Sequence, residues 1–360
     1  MEKKINKLVI IGNGFDLAHG FKTSYNDFML WYLNNCISIF ISTENYKDAL
    51  LHLPTPLPEQ WEFSDKNQKI SNISSFKILF ERVRYTPIMS DFLERLINNH
   101  ERHNWVDIEN DYYQALIKIY DEGLRKFDPE YHSKIKKLNN EFECLRDKLE
   151  EYLTLLQKEL IDINQPDPRG KINNLFQNDF YCDFGFPISV TGTKQKIVFL
   201  NFNYTNTVEK YLAGDRTSQE IIYIHGQLNN PANPIIFGFG DEVDSYYEKI
   251  ENLKINEFLD NFKSFWYFKT DNYQNLLKFI DSEAFDIEIL GHSCGLSDRV
   301  LLSTVFQHKN CQTIKIHYHL RDTGNDFFSK TQEISRHFRD KAKMRKVIVD
   351  FSKCQSINDI

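Results

Sequence analysis

The residues best suited to chemistry fall in short polar stretches that end apolar runs. Gly12-Asn13-Gly14-Phe15-Asp16 follows directly on Leu8-Val9-Ile10-Ile11. Glycines placed after a buried strand let the backbone approach a pyrophosphate, and the helix that follows offers free N–H donors to an anion. The pattern G-x-G-x-x-G is not completed, because Leu17 holds the third glycine's place and the next glycine is Gly20. A purely structural tight turn accounts for the same residues. Asn201-Phe202-Asn203-Tyr204-Thr205-Asn206 follows the run ending at Leu200 and sets several amides at a strand's carboxyl end, where open α/β sheets bind ligands. Asn203 is suited to hold a ribose hydroxyl or a water, and a helix cap is the structural alternative. His225-Gly226 ends the run Ile221 to Ile224; a histidine there can act as a general base near neutral pH, or it can serve packing alone.

Gly291-His292-Ser293-Cys294-Gly295 is a literal G-x-S-x-G between a strand and a helix, the context of a serine-hydrolase nucleophile elbow. A triad would need an acid from Asp298, Asp322, Asp326 or Asp340 and a base from His308, His317, His319 or His337, yet few strands remain to carry them. The reading we prefer makes this a second ribose- or phosphate-facing turn, with Ser293 donating and Asp298 capping or gripping a hydroxyl. His308, His317 and His319 have no carboxylates or thiolates in register with them, so they read as strand side chains and no metal is expected. The acidic start of Asn104 to Asp111 suits a helix dipole as well as it suits function. The aromatic block Phe262, Phe265, Trp266, Tyr267 and Phe268 reads as core.

These stretches need a sheet to bring them together. Leu8 to Ile11 is short, β-branched and wholly apolar, as a strand buried on both faces is. From about Thr23 to Val190 helical spacing dominates. Its clearest element, Ser133 to Ile163, repeats Leu138, Phe142, Leu145, Leu149, Tyr152, Leu156 and Leu160 at steps of three and four. That stripe fits an intradomain hairpin or a dimerising coiled coil, and Asn164 to Gly170, with its prolines, ends it. Strands return at Ile197 to Leu200, Ile221 to Ile224, Ile235 to Phe237, Ile287 to Leu290, Ile314 to His319 and Val347 to Phe351. Strand alternating with helix gives an α/β fold with a mostly parallel sheet. The expected organisation is a discontinuous nucleotide-binding core at 1–30 and 190–360, with a large helical insertion at 31–189 after the first strand.

The bulk numbers agree with a globular protein: 360 residues with 41% hydrophobic content, 29 Phe and 18 Tyr. A net charge of −7 supplies no global positive field, so a nucleic-acid partner is not favoured, although Arg336 to Lys346 is locally basic. The cysteines at 36, 144, 182, 294, 311 and 354 show no C-x-x-C spacing, and the first residues, MEKKINK, do not read as a secretory signal. No apolar run reaches the ~20 residues of a membrane span. We therefore expect reduced thiols, no membrane partner and a cytoplasmic protein.

Taken together, LVIIGNGFDLAHGFKTSYNDF at 8–28, NWVDIEND at 104–111, LNFNYTNTVE at 200–209, YIHGQL at 223–228, IIFGFGDE at 235–242 and GHSCGLSD at 291–298 resemble the AbiH family of phage abortive infection proteins. More distantly the chain is similar to sirtuin-like domains, which bind NAD on a Rossmann-like sheet. That similarity implies a Rossmann-like (sirtuin-like) fold. It sets the glycine pattern on Gly12, Gly14, Gly20 and Phe21, the conserved-type Asn on Asn203, the catalytic H-G on His225-Gly226 and the G-T-S turn on Gly291-His292-Ser293. Three departures stand out: Asp27-Phe28 continues to Met29 where sirtuins have D-F-R, the four-cysteine zinc ribbon is missing, and Asp16 brings a charge close to the expected phosphate. The last two speak against a protein deacylase; Asp16 can instead face a ribose hydroxyl.

The resemblance implies an anti-phage effector that cleaves NAD, with Asn203 and His225 catalytic and Gly12, Asn13, Gly14, Phe15, Asp16, Gly226, Gly291, His292, Ser293 and Asp298 lining the nucleotide site. The alternatives are a nucleotide-binding sensor without turnover and a serine hydrolase using Ser293. The 133–163 helix leaves self-association open as a partner mode, beside a phage-derived trigger.

Overall fold

The computed structural model describes residues 5–55, 69–82, 84–99, 105–126, 130–162, 195–212, 219–321 and 324–357. Asn104, Asp322, Cys182 and the Pro- and Asp-rich stretch at 164–170 lie outside these. By its internal contacts the chain divides into two compact units, one of residues 1–21, 156–236 and 263–360, the other of residues 22–155 and 237–262.

In the first unit β1 (Asn6–Ile11) runs into the short helix α1 (Asn13–Ala18). The second unit begins with α2 (Tyr25–Thr43), capped by Ser24, whose hydroxyl accepts from the Asp27 N–H. A small antiparallel sheet follows, of β2 (Tyr46–Lys47), β3 (Leu51–Leu53) and β4 (Ile88–Met89), with α3 (Ser75–Arg82) between its last two strands. Then come α4 (Asp91–Asn99), α5 (Trp105–Lys126) and α6 (Tyr131–Asp162). The helical spacing expected at 133–163 is realised in α6, where Ile135, Leu138, Phe142, Leu145, Leu149 and Tyr152 are buried. Phe142 stacks on Tyr112 of α5 at 4.1 Å, and Tyr152 packs on Trp31 of α2 at 5.2 Å. As far as Tyr152 the stripe is thus covered by neighbours in the same chain. Residues 237–262 group with these helices because Phe237 stacks on Phe142, Phe239 stacks on Tyr113 and the Gly238 N–H donates to Glu109.

The first unit resumes with β5 (Ile197–Asn201), β6 (Gln219–Tyr223), β7 (Phe285–Leu290) and β8 (Cys311–His317). With β1 they form a five-stranded sheet in the order β6-β5-β1-β7-β8, and every pairing is parallel. Renumbered within the sheet alone, that order is 3-2-1-4-5, so the winding reverses at β1. Leu8 and Ile10 point into one apolar cluster with Val198, Leu200, Ile287, Ile289, Ile314 and Ile316, while Val9 and Ile11 point into another with Phe15, Ile197, Phe199 and Leu290. Both faces of the sheet are therefore buried, which is why β1 reads as a continuous apolar run. Each such aliphatic side chain contributes about 2 kcal/mol when fully buried.

Two expected strands are corrected. Ile235 to Phe237 is irregular backbone: Pro234 has no N–H to donate, and the Ile236 N–H is committed to the His225 carbonyl at 2.7 Å. Val347 to Phe351 makes only a single bridge, Ile348 to Ile314, since Asp340 caps a helix over Lys341–Val347 by accepting from Ala342 and Lys343.

Candidate functional site

The polar stretches that end β1, β5, β6 and β7 all lie at the carboxyl edge of the sheet, and the winding reverses between β1 and β7, where open α/β sheets leave a crevice for ligands. Here the loops after those two strands lie against each other. The Gly12 N–H donates to the Leu290 carbonyl at 3.0 Å, the Gly14 N–H to Gly291 at 2.9 Å and the Phe15 N–H to Gly12 at 2.8 Å. A Cβ on Gly12 would stand 2.5 Å from the His292 Cα, and one on Gly14 would stand 2.8 Å from the Gly291 Cα. Gly291 has φ +73°, and its Cβ would meet the Phe15 nitrogen at 2.2 Å. These glycines bring two stretches of backbone together. The N–H groups of Gly12, Gly14 and Phe15 are thus all used by backbone carbonyls. Gly226 (φ +85°) serves a similar end, allowing the turn after β6 to pass the Pro234 carbonyl.

After β5 the amides organise themselves. The Asn201 side chain accepts from the Asn203 N–H at 3.1 Å and donates to the Thr205 carbonyl at 3.2 Å. The buried Asn203 side chain donates to the Gly12 carbonyl at 3.1 Å, tying this loop to the one after β1. The cap reading does not describe it: Asn206 precedes the 3₁₀ turn Thr207–Tyr211 without a side-chain cap bond. Asp16 is 1% exposed; its Oδ2 accepts from the Thr205 hydroxyl at 2.6 Å, and its Oδ1 has no hydrogen-bond partner among the described residues. Burial pushes its carboxyl up to about 6, against smaller opposing effects of Thr205, Thr207, Asn203 and Lys210.

After β6 and β7 stands a buried charge cluster. His225 Nε2 lies 3.3 Å from Asp298 Oδ1 and 3.3 Å from the Tyr267 hydroxyl. Lys263 Nζ is 2.8 Å from the same Oδ1, and His292 Nε2 is 3.6 Å from Oδ2. Phe202 presses on both imidazoles, edge-on to His225 with ring centres 4.9 Å apart and tilted over His292 at 4.1 Å. Burial, and then the Lys263 charge, lower His225 to about 4, although Asp298 pulls the other way. Burial alone would raise Asp298, but Lys263 and then His225 hold it well below the usual carboxylate range. The resting cluster is therefore an ammonium, a carboxylate and a neutral imidazole. Sequence reasoning missed Lys263, for which a single lysine inside Phe262-Lys263-Ser264-Phe265-Trp266 was the available signal; Tyr267 lies in the core as expected, with its hydroxyl turned to His225.

Ser293 is exposed, and it is Cys294 rather than Ser293 that takes the positive φ, 58°, of a nucleophile elbow. Burial pushes the Cys294 thiol up to about 12. Three of the four histidines considered for a triad have other partners, His308 with Asp281, His317 with Glu288 and His337 with the Cys294 carbonyl, and His319 is exposed. His317 is a buried strand residue, and its partner Glu288 also pairs with Lys7 at 3.1 Å. Among the described residues no helix is long and apolar enough to cross a membrane, and no group of three or more His, Cys, Asp or Glu side chains is placed to hold a metal ion.

The fold and these loops define an open α/β protein with a parallel sheet and a polar cluster at its carboxyl edge. The family described as "Bacteriophage abortive infection AbiH" matches residues 8–320, and the chain belongs to that family. No curated protein gives a sequence match to it. The family match places the protein in abortive infection, the anti-phage defence for which the family is named.

Proposed function

We propose that the protein serves abortive infection by hydrolysing NAD to nicotinamide and ADP-ribose at the carboxyl edge of its sheet, on a sirtuin-like arrangement of loops. The observation that carries this reading is the neutral His225 with its Nε2 against Asp298, which Lys263 anchors. A carboxylate acceptor on Nε2 favours the tautomer protonated there and leaves Nδ1 as the proton acceptor. Cleavage breaks the bond between the anomeric carbon and nicotinamide, and the electron pair departs with nicotinamide. Water then adds to the cationic sugar carbon and gives its proton to His225. A base with so low a proton affinity suffices because water attacking an oxocarbenium-like carbon becomes strongly acidic as the bond forms. Asn203, held to the Gly12 carbonyl, orients that water or the ribose.

The test is nicotinamide release from NAD by the purified protein, with and without lysate of phage-infected cells. Loss of the general base in His225→Ala should lower the rate by ~10²- to 10⁴-fold, and Asn203→Ala should fall with it. Near-normal turnover in His225→Ala would remove that residue from the chemistry. Saturable NAD binding with no product under any condition would favour a sensor.

A further inference from the structure

We propose that Asp16 receives the 2′-hydroxyl of the ribose whose glycosidic bond is cleaved, and thereby selects an intact ribose at this site. The proposal rests on the NAD-cleavage reading above. It stands on an unfinished hydrogen-bond inventory. Asp16 is 1% exposed, its Oδ2 is occupied by Thr205, and its Oδ1 is shut off from solvent and among the described residues makes no hydrogen bond, while the Asn203 and Thr207 side chains lie near enough to ease its burial. Buried carboxylate oxygens are normally satisfied, and a native exception calls for an explanation such as a ligand or a catalytic task. The groups around it are Asn203, Thr205 and Thr207, with the Lys210 charge near enough to be felt. Asn203 links this pocket of polarity to Gly12, at the reversal in the winding of the sheet.

The missing partner must be a donor. A phosphate is excluded by like charge, whereas a sugar hydroxyl is neutral, small and able to donate. Its hydrogen bond to a carboxylate strengthens as positive charge develops on the sugar ring, the use made of a 2-hydroxyl in glycoside cleavage. Asp16 takes no proton in this step: the C1′–N bond breaks, its pair leaves with nicotinamide, and the carboxylate acts through the hydroxyl. Because Oδ1 is enclosed, the hydroxyl reaches it only when α1 shifts. That short helix is followed by Gly20, whose φ is +83° and around which a Cβ would meet nothing within 4 Å.

The experiment is calorimetric titration of the full chain with NAD and with an NAD analogue whose nicotinamide ribose lacks the 2′-hydroxyl. A charge-assisted hydrogen bond made in a buried site predicts that the wild type binds NAD at least ~10-fold more tightly than the analogue. Asp16→Asn, which keeps the shape and removes the charge, should shrink that gap to about threefold or less. Equal affinities for the two ligands in the wild type overturn the role of Asp16 and leave the nucleotide reading standing; binding of neither ligand overturns both. If Asp16→Asn does not fold, the wild-type comparison decides alone.

Discussion

Lys263→Met is the perturbation that tests the buried cluster most directly. Lys263 Nζ stands 2.8 Å from Asp298 Oδ1, and His225 Nε2 stands 3.3 Å from the same oxygen, so one carboxylate oxygen is shared by a cation and a neutral ring. Removing one partner of a buried ion pair costs about 3–5 kcal/mol, because a charge is left in the interior without compensation. In this cluster the loss has an escape. Without the ammonium, Asp298 pulls the proton affinity of His225 upward from its lowered value, while burial goes on holding it down. The sign of the pH dependence follows. In the wild type His225 is lowered from 6.5 to about 4, so the unfolded chain binds the extra proton between those values, and His225 contributes a loss of stability as pH falls through that window. In Lys263→Met the imidazole lies closer to its unfolded value, so less stability is lost as pH falls through that window. Urea unfolding should show the mutant about 3–5 kcal/mol less stable than wild type at pH 8, with a deficit smaller by up to about 1 kcal/mol at pH 5.5. NMR titration of the His225 ring should show its midpoint moving upward. A deficit that is the same at both pH values, or an unmoved His225 midpoint, would refute the account of Lys263 as a charge that, added to burial, keeps His225 neutral.

The glycines offer an internal control. Gly291→Ala and Gly20→Ala both force a side chain onto positive φ, which costs about 1–3 kcal/mol, but only at Gly291 does the new Cβ meet backbone, at 2.2 Å from the Phe15 nitrogen. Gly291→Ala should therefore lower the unfolding midpoint well beyond Gly20→Ala, and matching losses in a thermal melt would show that the two loops are not packed as described. Asp16→Asn should raise stability at neutral pH. The carboxyl is lifted from 3.8 to about 6, so it contributes stability below 3.8 that is lost as pH rises through 6, and at pH 8 the ionised group costs up to about 3 kcal/mol. The gain of Asp16→Asn over wild type should grow from pH 4 to pH 8 in urea unfolding; a gain that shrinks over that range would mean Asp16 has a donor after all.

How much of this was legible in the sequence depends on the range of the forces involved. The strand at Leu8 to Ile11 and the stripe of α6 could be read because burial imposes a local period, and the period is written in adjacent residues. The strand ends could be read for the same reason, and with them the positions of Gly12, Asn203, His225 and Gly291. Two failures of strand assignment came from donors that a local pattern does not weigh. Ile236 gives its N–H to His225, and Asp340 starts a helix in a stretch that is apolar enough for a strand. Lys263 was hidden for a different reason. Its partner is 35 positions away, and nothing in the aromatic run around it declares that the ammonium turns inward. Asp16 shows the opposite case: its residue type was visible, but the absence of a donor at Oδ1 is a property of three-dimensional enclosure. The glycines were ambiguous in sequence because a backbone that approaches a phosphate and a backbone that approaches another backbone both require the absence of a side chain. The 2.5 Å and 2.2 Å encounters at Gly12 and Gly291 show that the second need operates at those two positions. Beside these glycines, the enclosed carboxylate of Asp16, the amide of Asn203 and the neutral imidazole of His225 are side chains at this edge with chemistry to offer a ligand.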